Sequence, residues 1–126
     1  MTERLFSIRD WVSTTEGQNM SDTYILRDGK PVRCSAREWG EWMKNKDARR
    51  VAYDIVGPVR ISTVFLGVGA GYGGGAPVLW ETLVFEGPLN GEMERYTSEE
   101  SARAGHAVMV HRVTLAARTK KGGLEF

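Results

Sequence analysis

Arginines spaced among aromatic residues carry the chemistry of this chain. Arg60 falls in a β-rich run, in the phase opposite to Ile61, Thr63 and Phe65. Tyr72 sits in a run of glycines, and Trp80 and Glu81 open the next β-rich run. Arg95 and Tyr96 precede a helical segment that contains Arg103. Guanidinium forks hold phosphates, and both guanidinium planes and aromatic rings stack on bases. Arg60, Arg95 and Arg103 would therefore hold phosphates. Tyr72, Trp80 or Tyr96 would stack on a base, so the ligand class is a small nucleotide. The competing account is a set of solvated arginines and core aromatics.

Other chemistries fit less well. The run GVGAGYGGG could bring backbone amides close to an anion. The dinucleotide-binding fingerprint needs a helix after its glycines, and here a strand follows. The Gly-Lys-Ser or Gly-Lys-Thr ending of a Walker loop is absent, as are the partner motifs of a kinase. The competing account of this loop is a hairpin tip. His106 and His111 lie five residues apart, whereas helical neighbours that share a ligand sit three or four apart. They would not face one metal ion. No Gly-x-Ser-x-Gly elbow marks a nucleophile. The expectation is a protein without catalysis, cofactor or metal.

The elements that must position these residues are legible from period and punctuation. Leu5, Ile8, Trp11 and Val12 fall at helical spacing, which predicts a short amphipathic helix within an extension over residues 1–19. A single α+β domain over residues 20–126 should follow. Thr23 to Arg27 reads as a strand, Asp28 and Gly29 as a two-residue turn, and Pro31 to Cys34 as the return strand. Ser35 and Glu38 form a capping box before a helix with Trp39, Trp42 and Met43 on one stripe. That helix should stop at Asn45 to Asp47. Arg50 to Val56 alternates as a strand, and Gly57 with Pro58 makes a turn.

Val59 to Phe85 is then a long antiparallel hairpin at the centre of a sheet, with the glycine loop at its tip. Met93 to Tyr96 supplies a last short strand. Thr97 to Glu100 is a second capping box, opening a helix to about Arg118 with Ala102, Met109, Val113 and Ala116 buried. Strands grouped into hairpins, without β-α-β alternation, predict an α+β fold: an antiparallel sheet with helices packed on one face.

Composition bounds the partners. The 126 residues carry 17 basic and 16 acidic side chains, a net charge of +1, which argues against duplex nucleic acid as the partner. Hydrophobic residues make up 41%, enough for a real core in a chain of this length. No apolar run reaches the roughly 20 residues of a membrane helix. The single cysteine, Cys34, suits a reducing compartment and a small apolar filler. Exposed sheet edges and an abundance of Trp and Tyr predict a homo-oligomer, a dimer or a multiple of dimers.

Four segments also carry a resemblance: Ser62 to Gly67 (STVFLG), Trp80 to Thr82 (WET), Arg95 to Thr97 (RYT) and Ala104 to His106 (AGH). Together, over residues 20–113, they resemble a family of small phage-encoded proteins. Gly69 and Ala70 stand where several relatives have Asp and His. Within that group the nearest functional class is the Thoeris anti-defence sponge. The resemblance implies a protein of the infected host's cytoplasm that sequesters a cyclic nucleotide immune signal, without turnover. An inhibitor that binds a host defence protein directly, such as a CRISPR nuclease complex, is the alternative, and a virion or assembly component is a third.

Overall fold

The computed structural model describes residues 22–69 and 75–118. The predicted N-terminal helix and Tyr72 lie outside them. The fold is α+β, and among the described residues it has antiparallel sheets of two and four strands. The described residues form two compact units: 22–48 with 67–69, and 49–66 with 75–118. The strands therefore divide between two sheets, where one sheet was expected.

In the first unit, β1 (Thr23–Arg27) pairs with β2 (Lys30–Cys34), Thr23 opposite Cys34 and Arg27 opposite Lys30. Asp28 and Gly29 both take positive φ, 52° and 77°, as the predicted tight turn requires. Ser35 caps α1 (Ala36–Trp42), accepting from the Glu38 N–H at 3.1 Å. The return arm of the expected capping box is missing, because the Glu38 carboxylate accepts from Arg27 at 2.5 Å instead. The chain does turn at Asn45, whose side chain accepts from the N–H groups of Asp47 and Ala48 and so starts α2 (Lys46–Arg49). Trp39 and Trp42 are only half-buried. Residues 67–69 add a further edge to β1: Tyr24 N–H donates to the Gly67 carbonyl at 2.6 Å, and Gly69 N–H donates to that of Asp22 at 3.0 Å.

Cys34 is buried here, and burial pushes its thiol above the ordinary value of 9.0, with Glu38 adding to the rise. Two outcomes follow. Native protein should label with a thiol reagent far more slowly than denatured protein at pH 8, and equal rates would contradict the burial. The neutral thiol's contribution to stability is fully present below about pH 9 and is lost as pH rises through the higher folded value.

The second unit is a meander. β3 (Arg50–Val56), β4 (Val59–Phe65), β5 (Trp80–Phe85) and β6 (Met93–Tyr96) lie side by side in chain order, with the predicted hairpin β4–β5 at the centre. Alternation along the strands sorts the side chains. Val59, Ile61, Thr63 and Phe65 of β4 and Trp80, Thr82 and Val84 of β5 face α3 (Glu99–Ala116). Val59, Ile61 and Val84 meet Met109 and Val113 in the core. Each such aliphatic side chain contributes about 1.5–3 kcal/mol by leaving water. The α3 cap is Ser98 rather than Thr97, accepting from Ser101 N–H at 3.0 Å. Its buried stripe is Ala102, His106, Met109 and Val113. The predicted Ala116 is exposed, because the apolar phase runs through His106 and closes at Ala117. Among the described residues no helix is long and apolar enough to cross a membrane.

Candidate functional site

Register places Thr63 directly opposite Thr82, both on the helix face of the sheet and both 0% exposed. Their hydroxyl oxygens lie 2.5 Å apart. From above, α3 lowers His106, 4% exposed, so that Nδ1 sits 2.6 Å from Thr63 Oγ1. On β3, Asp54 pairs with Ile61 and shares this face; its Oδ2 is 2.7 Å from His106 Nε2. On β6, the Tyr96 hydroxyl donates to Thr82 Oγ1 at 3.0 Å.

With a single proton on the ring, these five side chains have one self-consistent arrangement. A carboxylate only accepts, so Nε2–H donates to Asp54, and Nδ1 is then the acceptor of a neutral ring. Thr63 must donate to Nδ1, Thr82 to Thr63, and Tyr96 to Thr82. Each hydroxyl donates once, and every link is satisfied. The direction of the whole chain is set by the half-exposed carboxylate at its end.

The order acid, imidazole, hydroxyl matches that of hydrolytic triads. Thr63 has no exposed surface, however, and its proton is held within the chain. A buried and fully satisfied network of this kind specifies how helix and sheet seat on one another. Gly105 completes it. A Cβ there would collide with Cε1, Cζ and Oη of Tyr96, so only glycine lets that ring lie beneath α3.

The residues predicted to hold a nucleotide do not form one cluster. Trp80 is 2% exposed, packed edge-on against Phe65 with ring centroids 5.2 Å apart, so its faces are not open to a base. Its indole N–H is buried without a partner among the described residues. Tyr96 gives its hydroxyl to Thr82. Arg60 and Arg95 share the opposite, open face of the sheet. Arg60 rests over the Phe85 ring at 4.7 Å, while Arg95 Nε donates to Glu81 at 3.0 Å. Four residues along and two strands across separate their backbones by roughly 17 Å. Arg103 belongs to the helix layer, where it pairs with Glu99 and donates to the Val51 carbonyl at 3.2 Å.

No family model, curated protein or solved structure matches this chain. Among the described residues no group of three His, Cys, Asp or Glu side chains is placed to hold a metal ion. The four segments STVFLG, WET, RYT and AGH nevertheless have a shared physical role in this molecule. They supply Thr63, Thr82, Tyr96, and Gly105 with His106, which is the buried chain except for Asp54. Residue types alone did not single out these positions. The available signal was phase: a threonine in the apolar phase of each central strand, and a histidine in the apolar stripe of the helix.

Proposed function

We propose that this chain is a non-enzymatic binding protein, of the phage anti-defence kind, that sequesters a small cyclic nucleotide on the open face of its four-stranded sheet in the host cytoplasm. One observation carries the choice of face. Arg60 is exposed, braced on Phe85 and, among the described residues, has no carboxylate partner, whereas Arg95 and Arg103 are ion-paired. Its donors are therefore free for phosphate, and the ring beneath limits the freedom lost on binding. Tyr53 lies on the same face beside Ser62 and is exposed, with the Arg50 guanidinium over its ring at 4.8 Å, so it takes the stacking role first given to Trp80 and Tyr96 only where Arg50 moves aside. Arg95 is held at Nε by the Glu81 carboxylate, which would oppose an anion beside it. Tight holding without turnover requires a preorganised surface and no catalytic group.

Calorimetry against cyclic ADP-ribose isomers and cyclic oligonucleotides tests this. Arg60→Ala should weaken binding by tenfold or more, the loss of one charge-assisted contact of about 1.5–3 kcal/mol. Heat with none of these ligands would sink the reading.

A second reading rests on Ile55, 64% exposed, and Met93 on the same face. Such apolar positions suit a protein partner, for example a host nuclease complex. A stoichiometric host protein recovered on tagged chain, with no bound material absorbing near 260 nm, would favour it. Under either reading we propose a homo-oligomer, a dimer or a multiple of dimers, since two-fold assemblies are the commonest.

A further inference from the structure

The geometry points to the outer face of α3 as the two-fold contact between copies, with the helix packed antiparallel on its own mate. This rests on the oligomeric reading above and adds the surface and the orientation. Ala104, Val108, His111 and Leu115 follow one another at intervals of four, three and four residues and are all exposed. Val108 is 59% and Leu115 52% exposed. That interval is the seam of a coiled coil. The stripe lies on the side of α3 away from Ala102, His106, Met109 and Val113, so the helix is apolar on two opposite faces. The sheet covers only one of them.

Size and charge both select a second α3, running the other way. With the two-fold axis between Val108 and His111, Ala104 of one copy meets Leu115 of its mate, and small fills against large. The same register sets Ser101 opposite Arg118, which brings Arg118 beside Glu100. The first turn is acidic, with Glu99 and Glu100, and Arg118 follows the last turn. An antiparallel pair therefore joins an acidic end to a basic one, and in each copy the helix dipole opposes that of its neighbour. A parallel pair would stack Leu115 on Leu115 and place like charges together. The seam is short compared with a standard interface, so the pair should form and separate at micromolar concentration.

Sedimentation equilibrium of the full chain reads this out. Val108→Glu and Leu115→Glu replace exposed residues and should leave the thermal midpoint of the monomer, read well below micromolar concentration, unchanged while raising the dissociation constant at least tenfold. Arg118→Glu should weaken association, and adding Glu100→Arg should restore it. Oxidising a mixture of Ala104→Cys and Leu115→Cys chains should cross-link one variant to the other. A wild-type monomer at 100 μM would overturn this contact and the oligomeric reading together. An oligomer unaffected by Val108→Glu and Leu115→Glu would overturn the contact alone. Cross-links between two Leu115→Cys chains, in place of mixed ones, would overturn the antiparallel orientation.

Discussion

Gly105→Ala is expected to lower the stability of the four-stranded unit by about 3 kcal/mol. On an exposed helix face the same change would gain about 1 kcal/mol in helix propensity. Here the new methyl would occupy the space of the Tyr96 ring, and the clash is with three atoms of one rigid group. Either α3 lifts from the sheet or the ring swings out. The second escape breaks the Tyr96 to Thr82 hydrogen bond and leaves a buried hydroxyl short of its donor. Both routes cost more than propensity returns. Thermal unfolding should shift down by more than 10 °C for a domain of this size. Pairing the change with Tyr96→Leu should recover part of the loss, because the obstacle is the ring itself. A midpoint within two degrees of wild type would show that the ring is not held where it lies.

Thr63→Val should have a comparable effect with no change in shape. Valine fills the same volume but leaves His106 Nδ1 without a donor and the Thr82 hydroxyl without an acceptor. Each orphaned buried group costs about 1–3 kcal/mol, so a loss of about 2–4 kcal/mol is expected. Thr63→Ser keeps the hydroxyl and should cost only about 1 kcal/mol, for one lost methyl group. Replacing the four members other than Asp54 together, with Thr63→Val, Thr82→Val, His106→Leu and Tyr96→Phe, should be milder than Thr63→Val alone, since no buried polar group is then stranded and Asp54 is half-exposed. Asp54→Asn should change stability by less than about 1 kcal/mol, because Asp54 is half-exposed and asparagine still offers an oxygen to Nε2. Nitrogen NMR of His106 should report the Nε2–H tautomer in the wild type. A Thr63→Val protein as stable as wild type would dismantle the directional chain.

Much of the architecture was legible because it rests on short-range chemistry. Asp28 and Gly29, the alternation of Arg50 to Val56 and the long runs of β4 and β5 are local signals, and each fixed its element. The α3 cap moved from Thr97 to Ser98 because both hydroxyls satisfy the same local rule, and only the path of β6 into the helix chooses between them. The buried chain was not legible. Histidine in a helix and threonine in a strand read as ordinary residues until β4–β5 register sets Thr63 on Thr82 and α3 lowers His106 onto them. Those are contacts over 19 and 43 residues of sequence, beyond any local period. The arginine cluster failed for a related reason. Arg60, Arg95 and Arg103 are close in kind but belong to two layers, and pleat and helix phase send their side chains apart.

The hydrogen bonds from residues 67–69 to β1 bear on how the protein is made. The β1–β2 hairpin leaves the ribosome before its edge partner does: its outer edge gains Gly67 and Gly69 only after roughly 40 more residues are translated, about two to eight seconds at cellular rates. During that interval the edge offers Asp22 and Tyr24 backbone groups to any passing strand. The nascent chain is thus most open to mispairing before residues 67–69 have emerged, and slowing translation between the codons for Cys34 and Gly67 should lower the yield of folded protein more than the same delay after Arg118.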